Sequence, residues 1–351
     1  MKKILSVLLV LTMCFNLVSP MGVMASDNIV VCPTEVCTSI INELSVFEQD
    51  KASVGMSNVN FNNLYISGKV PVYEYTNNGF TELSNIYLLL ENNEIVTVMY
   101  EIEETRYQIM PNLASDIRQT GATNIALIYD INGCHLYDGL EIITLGNTNM
   151  IVDGRKDITE AEDLEFSEIS LASTVETQKL NYVSNNVNAR TQANYMCSVS
   201  YVTQIPDDQI CWAATLACIV NYVKGTSLTA KQVAKAKNGA TNYNQPMYDK
   251  TAISFMNSEY NMNYKYHNYK PSDNVMLTNI KNGYPIYGSF TWTNGRHAVT
   301  IYGINVIAGR IMIMDPEFGA TTSYLSSSGY TYVSSYSGTT LTFDRAGCKT
   351  W

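Results

Sequence analysis

Cys211 lies where a polar segment gives way to an apolar one. Residues 204–210 are rich in polar side chains, and apolar residues then recur at helical spacing until Gly225, which predicts a helix with Cys211 in its first turn. Asp207 or Asp208 is the predicted N-cap of this helix. The helix dipole and the unpaired backbone N–H groups at this end favour the thiolate, the nucleophilic form of cysteine. The sequence therefore marks Cys211 as a candidate nucleophile.

A nucleophilic cysteine works with an imidazole and with a third group that orients the imidazole ring. The C-terminal half offers two histidines, and His297, at the entrance of an apolar strand, is a better candidate base than His267 in a polar run. Asp315 ends a following apolar run, and antiparallel pairing would bring its carboxylate beside the ring of His297. Gln204 and Gln209 each offer a side-chain amide for an oxyanion, and their spacing leaves both open.

The elements that must position these residues lie in the C-terminal half, residues 195–351, where helical patterns come first and strands follow. This order predicts an α+β domain. Ser227 or Thr229 is the predicted cap of the helix after the Cys211 helix. Further helices are predicted at residues 248–258 and 272–281, and strands at residues 284–292, 297–304, 309–314 and, more weakly, up to 343.

The preceding residues, 26–166, predict a mostly β domain of the α+β class. Apolar runs separated by Asn-rich turns indicate a mostly antiparallel sheet with one or two helices, one of them over about residues 110–120 with Pro111 near its N-terminus. Periodicity is lost over residues 167–194, which predicts a linker. Arg190 is a candidate processing point within it.

The first 25 residues predict a signal peptide, because Lys2 and Lys3 precede an apolar stretch at residues 4–18 and a small-residue cleavage site ends at Ala25. The apolar stretch is shorter than the roughly 20 residues that span a bilayer. No later stretch is typical of a transmembrane helix. We therefore expect a secreted, extracellular protein that has no membrane partner after removal of the signal peptide.

The net charge bears on the kind of partner that the protein binds, and the number of cysteines bears on whether it has a free thiol. The net charge of −10 and the absence of a Lys/Arg cluster argue against a nucleic-acid partner. Seven cysteines remain once Cys14 leaves with the signal peptide, and an odd number in an exported protein indicates a free thiol. Cys32 with Cys37, and Cys197 with Cys348, are candidate disulfide pairs, but the pairing stays open.

These segments resemble the papain-like cysteine peptidases and, within them, the bacterial secreted peptidase C39-like group. The resemblance is carried, in the order Gln, Cys, His, Asp, by Gln204, by Cys211-Trp212-Ala213-Ala214, by Gly295-Arg296-His297-Ala298-Val299 and by Met314-Asp315-Pro316. It implies a papain-like α+β fold over about residues 199–351, with peptide-bond cleavage through a thioester. By position it implies that Cys211 is the nucleophile and His297 the general base and acid. Asp315 would orient His297, and Gln204 would be the oxyanion-hole amide.

A secreted cysteine peptidase without cofactor or metal ion, acting on a protein or peptide, is thus the leading hypothesis. Its N-terminal domain would be a propeptide or accessory domain and a possible intramolecular inhibitor. Zinc binding by Cys134 and His135 is disfavoured, because no second ligand pair stands at a suitable spacing. Trp212 is expected in the core or in the wall of the site.

Two alternatives belong to other functional classes. A thiol acyltransferase or amidase acting on cell-wall peptides would use the same constellation with another acyl acceptor. A non-catalytic surface binding protein would use its tyrosine-rich strands as contact area. In that case Cys211 would be a packing residue, His297 a strand-end histidine and Asp315 a turn former before Pro316.

Overall fold

The computed structural model describes residues 32–48, 51, 55–104, 106–147, 150, 152–159, 166, 169–174, 176–182, 194–306, 308–317, 319–326 and 329–350. The predicted signal peptide at residues 1–25 and the candidate processing point Arg190 lie outside the described residues. The described part contains six α-helices and two β-sheets, which confirms the predicted α+β class. None of its helices has the length and apolar character needed to cross a membrane.

The first half of the chain is built of strands with two α-helices. Its elements are α1 (Thr34–Phe47), a 3-10 helix (Phe61–Asn63), β1 (Tyr65–Ser67), β2 (Val70–Thr76), β3 (Gly79–Glu91), β4 (Glu94–Glu103), β5 (Arg106–Ile109), α2 (Pro111–Thr120), β6 (Asn124–Tyr129), β7 (Gly133–Tyr137), β8 (Ile142–Asn147), β9 (Ala172–Ser173) and β10 (Thr177–Lys179). The helix expected near residues 110–120 is α2. It begins at Pro111, as predicted, and Gly121 ends it in the left-handed conformation with φ 68°.

The strands of the first half form one sheet of ten strands in the order β10-β1-β3-β2-β6-β7-β8, in which β4 pairs with β3 and β5, and β9 pairs with β6. The pairing is antiparallel, as expected, except between β2 and β6, which run parallel. The parallel pair is possible because the chain crosses over between them through β3 to β5 and α2.

Helix α1 is an element that the sequence analysis did not locate. Its β-branched residues are typical of strands, and no side chain caps its N-terminus. The helix is stabilised instead by tertiary packing: Ile40, Leu44 and Phe47 are fully buried on the face that meets β5.

The second half has four α-helices before most of its strands. Its elements are β11 (Asn194–Met196), α3 (Cys211–Lys224), α4 (Ala230–Asn238), α5 (Asp249–Tyr260), β12 (Tyr264–His267), α6 (Asp273–Lys281), β13 (Ile286–Trp292), β14 (Gly295–Asn305), β15 (Arg310–Asp315), β16 (Gly319–Ser326), β17 (Gly329–Val333) and β18 (Thr340–Lys349). Thr229 caps α4 through a capping box with Gln232, which confirms one of the two predicted caps.

The second sheet closes on itself. Its strands follow the order β11-β14-β13-β18-β17-β16-β15, and β14 pairs with β15 as well as with β13, so that the six strands from β13 to β18 form a ring. The ring brings the start of β14, the end of β15 and the strand β17 to one region of the molecule. These are the positions of His297, Asp315 and Tyr332.

Two hydrophobic clusters hold the second half together. One lies between α3, α4, α5 and the sheet and contains Trp212, Leu216, Ile219 and Val220 of α3, all buried. The other runs from the first sheet into the second without interruption. The described residues, which begin at residue 32, belong to one compact unit.

The segment at residues 167–194 contains short strands where the structure describes it. Strand β9 pairs with β6, and β10 pairs with β1. The division into a domain at residues 26–166, a linker at 167–194 and a domain at 195–351 stays a prediction.

Candidate active site

Cys211 is the first residue of α3. The prediction that Asp207 or Asp208 caps this helix is wrong, because no side chain makes a capping hydrogen bond at its N-terminus. The carboxylate of Asp207 instead accepts a hydrogen bond from the hydroxyl of Tyr243 (2.9 Å), and that of Asp208 accepts one from the side-chain amide of Asn244 (2.9 Å). The two aspartates thus connect the loop before Cys211 to the loop that contains Tyr243 and Asn244. The backbone N–H groups of the first turn of α3 stay free of a side-chain cap.

Trp212 packs in the core at the start of α3. This is one of the two positions that the sequence predicted for it, the other being the wall of the site. The residue is 1% exposed, its Nε1 donates to the backbone oxygen of Gln245 (2.9 Å), and its ring packs edge to face against Phe255. Because Trp212 follows Cys211 directly, these contacts fix the position of the thiol-bearing residue.

His297 and Asp315 come together as predicted. His297 is the third residue of β14, and Asp315 is the last residue of β15, which pairs with β14. The ring nitrogen Nε2 of His297 lies 2.9 Å from Oδ1 of Asp315, and both side chains are buried. Nδ1 is then the ring nitrogen that remains for the thiol of Cys211.

The carboxylate of Asp315 has three hydrogen-bond partners within the part of the chain that the structure describes. Besides His297, its Oδ1 accepts from the backbone N–H of Glu317 (2.8 Å), and its Oδ2 accepts from the hydroxyl of Tyr332 (2.6 Å). Asp315 is fully buried, so these bonds replace the water that it has lost. The carboxylate is held in one orientation relative to the imidazole.

The surroundings of His297 favour its charged form. Burial lowers the pKa of this histidine, but the charge of Asp315, its hydrogen bond and a hydrogen bond with Cys211 outweigh burial and raise the pKa well above its usual value. The hydroxyl of Tyr332 stays protonated, because burial and the negative charge of Asp315 raise its pKa well above the ordinary value. Tyr332 is therefore a donor to Asp315.

Cys211 and His297 line the same cavity, which has a volume of about 720 Å³. The other lining residues are Met150, Gln204, Asp208, Gln209, Pro246, Met247, Tyr248, Thr291, Trp292, Thr293, Asn294, Gly295, Arg296 and Glu317. Among the described residues, Met150 is the one member of this lining that comes from the first half of the chain. A peptide segment could therefore reach the thiol and the imidazole together.

Both glutamines considered for the oxyanion line this cavity, so the structure leaves both in reach. Gln204 is 5% exposed, and its backbone N–H donates to the oxygen of Pro316 (2.9 Å), which places it beside Asp315. The side-chain oxygen of Gln204 is buried without a hydrogen-bond partner among the described residues. Gln209 is held through its backbone N–H by Asn244 (3.0 Å).

Tyr332 and Glu317 are site residues that the sequence analysis missed. Tyr332 comes from β17, which is separated from β15 by β16 in the second sheet, and no spacing along the chain reveals that its hydroxyl reaches Asp315. Glu317 follows Asp315 and Pro316 directly, so an acid next to a candidate orienting carboxylate was the available sign.

The remaining candidates are separate from this constellation. His267 lies at the end of β12 near Tyr269, and burial lowers its pKa. Cys218 is buried on α3, where its thiol contacts the backbone oxygen of Ser200. All seven cysteines of the described part are free thiols. In that same part, no group of three or more His, Cys, Asp or Glu side chains could hold a metal ion.

A cysteine that opens a helix, next to a sheet that carries its histidine and aspartate, is the arrangement that the resemblance to papain-like cysteine peptidases implies. Residues 193–334 match the model of a family described as papain-like cysteine protease AvrRpt2. The match covers less than half of the chain, and it supports a papain-like cysteine peptidase. It does not confirm the narrower resemblance to the peptidase C39-like group. No curated protein matches the chain.

Proposed function

We propose that the protein is a cysteine peptidase in which Cys211, His297 and Asp315 carry the reaction. The observation behind this proposal is that a free cysteine and a histidine line one cavity while the histidine bonds a buried aspartate at 2.9 Å. No cofactor is needed for this chemistry.

The reaction has two halves. The sulfur of Cys211 attacks the carbonyl carbon of the substrate while His297 holds the thiol proton, and the C–N bond then breaks as His297 passes that proton to the leaving amine. The resulting thioester is attacked by water, whose proton His297 accepts and returns to the departing sulfur. Asp315 keeps Nε2 of His297 engaged, so that Nδ1 faces the sulfur throughout.

The oxyanion of each tetrahedral intermediate needs hydrogen-bond donors. The backbone N–H of Cys211 belongs to the first turn of α3, where no intrahelical acceptor is available for it. The side-chain amide of Gln204 or of Gln209 supplies the second donor from the cavity wall. We expect Gln204→Ala to reduce kcat by about 100-fold if Gln204 is that donor, and Gln209→Ala to do so if it is Gln209.

Hydrolysis of casein and of cell-wall peptides by the purified protein tests the proposal. Cys211→Ala and His297→Ala should abolish turnover, while Cys37→Ala, which changes another half-buried cysteine in the same way, should not. Turnover that survives Cys211→Ala would contradict the proposal. Transfer of the acyl group to an added amine in preference to water would favour the acyltransferase alternative.

We also propose that the protein is exported and made as a proenzyme. Export rests on residues 1–25 of the sequence. The proenzyme proposal is supported by Met150, which lines the cavity, and by Asp153, whose carboxylate accepts a hydrogen bond from Asn294 (3.3 Å) beside the cavity. N-terminal sequencing of the secreted, active protein tests both. An active protein that retains residues 26–166 uncleaved would contradict the proenzyme.

A further inference from the structure

Glu317 is an acid buried in the wall of the candidate active site. It lines the same cavity as Cys211 and His297, and the residue as a whole is 8% exposed. Its backbone N–H bonds Asp315, but among the described residues no hydrogen bond or ion pair involves its carboxyl group. A buried carboxyl that opens onto a cavity without a partner is costly, and such groups normally have a hydrogen bond or a counter-charge.

The charges around Glu317 do not supply a counter-ion. Burial raises its pKa to about 8; the positive charge of His297 opposes this effect, and the negative charges of Asp315 and Asp208 add to it. The positive charge of His297 is engaged by Asp315 at 2.9 Å. Arg296, the other cationic side chain of the cavity wall, is bound to Asp344 at 2.5 Å.

We propose that Glu317 is a specificity-determining residue that binds a cationic nitrogen of the substrate next to the scissile bond. A lysine or arginine side chain, or a free amino terminus, would form a charge-assisted hydrogen bond with the carboxylate inside the cavity. A substrate with an apolar or acidic group there would leave the carboxyl unpaired or face like charge. This inference rests on the proposed peptidase function and adds its substrate class.

The exposed carboxylate of Asp208 offers a matched comparison. It also lines the cavity, but it already accepts a hydrogen bond from Asn244 (2.9 Å) and is open to water. Solvent screens exposed charges, so Asp208 should discriminate much less between charged and neutral substrates than Glu317 does.

The test uses internally quenched peptides in which one position at a time, on either side of the scissile bond, carries lysine or its neutral analogue norleucine. A second series compares arginine with citrulline, and a third compares free with acetylated amino termini, which separates side-chain from terminal cations. We expect one position at which the wild-type protein prefers the cationic member by about tenfold or more in kcat/KM. In E317Q this ratio should fall to about one, and in D208N it should change by less than about threefold.

The ratio should also depend on pH in the wild-type protein, because a cation binds the ionised carboxyl of Glu317. For the lysine and arginine pairs we expect the ratio to rise through pH 8 and to level off only above about pH 9, as the raised pKa of about 8 requires. The groups that face Glu317 are His297, Asp315 and Asp208, and titrations of the catalytic groups cancel in the ratio of two peptides. This measurement needs no variant, so it decides the matter even if E317Q does not fold.

The outcomes separate the two proposals. If the wild-type protein cleaves none of the peptides, the proposed function fails. If it cleaves them with no preference for a cation, with a pH-independent ratio, or with a ratio that survives in E317Q, the peptidase stands and the role of Glu317 is overturned.

Discussion

The carboxylate of Asp315 is held by an imidazole, a phenol and a backbone N–H group. The bond from Tyr332 is the shortest of the three at 2.6 Å, and it reaches the oxygen that His297 does not use. Among the described residues the hydroxyl of Tyr332 forms a hydrogen bond with Asp315 and with neither Cys211 nor His297, so its role is to position Asp315. Its loss should change the rate of the chemical step more than the binding of substrate.

Replacing Tyr332 by phenylalanine tests this role. The variant removes a hydrogen bond to a charged, buried group, which is worth about 1.5–3 kcal/mol. We expect kcat to fall by about tenfold or more with KM nearly unchanged, and the pH profile of kcat/KM to shift because the charge of Asp315 acts on His297. Tyr330→Phe is the matched control, since Tyr330 lies in the same strand but beside Asp273. Equal effects of the two variants on kcat would argue against a positioning role.

Glu317 should also make stability depend on pH. Folding raises its pKa from 4.5 to about 8, so between these values the native state binds more protons than the unfolded chain, and the free energy of unfolding falls as pH rises. Glu317→Gln removes this loss. The difference in unfolding free energy between Glu317→Gln and the wild-type protein should therefore shift in favour of the variant by on the order of 2 to 4 kcal/mol from pH 5 to pH 8.

Urea unfolding of both proteins across this pH range measures the effect. Glu141→Gln changes an exposed carboxyl and serves as the control. An advantage of Glu317→Gln that stays constant with pH would mean that the carboxyl is ionised in the native protein throughout.

At the scale of elements, the hairpin of β13 and β14 sets the position of His297. Trp292 and Gly295 are paired across its turn, two residues before His297. A Cβ at position 295 would lie 2.6 Å from Cη2 of Trp292 and closer still to Cζ2, so the indole ring packs where only a glycine leaves room. The ring forms part of the cavity wall.

Gly295→Ala should therefore displace Trp292 or bend the start of β14. We expect overpacking to cost about 1–3 kcal/mol of unfolding free energy and to lower activity through His297. Adding Trp292→Leu removes the clash, so the double variant should be more stable than the sum of the two single changes predicts. Strict additivity in thermal unfolding would show that the indole ring does not constrain position 295.

The sequence predicts a helix cap correctly where the residues that form it are close together in the chain. Helix α4 was predicted with its cap, since Thr229 bonds Gln232 within one turn. The caps proposed at Asp207 and Asp208 were wrong, because each carboxylate bonds a residue about 36 positions away, Tyr243 and Asn244. Such partners are set by the fold and leave no pattern in the neighbouring sequence.

The same distinction holds for the site. Cys211, His297 and Asp315 could be singled out because each stands at the end of a helix or strand that periodicity reveals. Tyr332 could not, because its contact with Asp315 depends on the order of strands in the sheet. Glu317 is marked in the sequence only by its position next to Asp315, and its importance comes from its burial in the fold. Whether the three predicted residues carry out catalysis stays a prediction.

At the scale of the whole molecule, the two halves of the chain are joined by buried polar contacts. The side-chain amide of Gln108 donates to the backbone oxygen of Val333 (2.7 Å) and accepts from the backbone N–H of Val333 (2.8 Å). It thus bonds both backbone groups of Val333, as a residue of a neighbouring strand would. Buried Glu43 pairs with Arg310 at 2.9 Å. Val333 directly follows Tyr332, so the first half supports the strand that holds Asp315.

Gln108→Ala should leave two backbone groups of Val333 buried without their partners, at about 1–3 kcal/mol each. We expect a loss of about 3 kcal/mol in unfolding free energy and a lower kcat through Tyr332. Gln119→Ala, at an exposed position of α2, should change the unfolding free energy by less than about 0.5 kcal/mol. If Gln108→Ala behaves like this control, the two halves are stabilised independently of each other.

In the proposed reaction His297 activates the thiol of Cys211. Alkylation with limiting iodoacetamide from pH 5 to 8, followed by mass mapping of every cysteine peptide, tests it most directly. Burial raises the pKa of Cys197 to about 11 and that of Cys218 and Cys348 to about 12, so these thiols should react slowly. Cys37, whose pKa is lowered by a hydrogen bond with Cys32, is an internal reference.

We expect Cys211 to be alkylated at pH 6 far faster than the buried cysteines. In His297→Ala this advantage should disappear, while the rate of Cys37 stays the same. If the Cys211 thiol reacts no faster than that of Cys218, or if its advantage survives His297→Ala, then His297 does not activate this thiol.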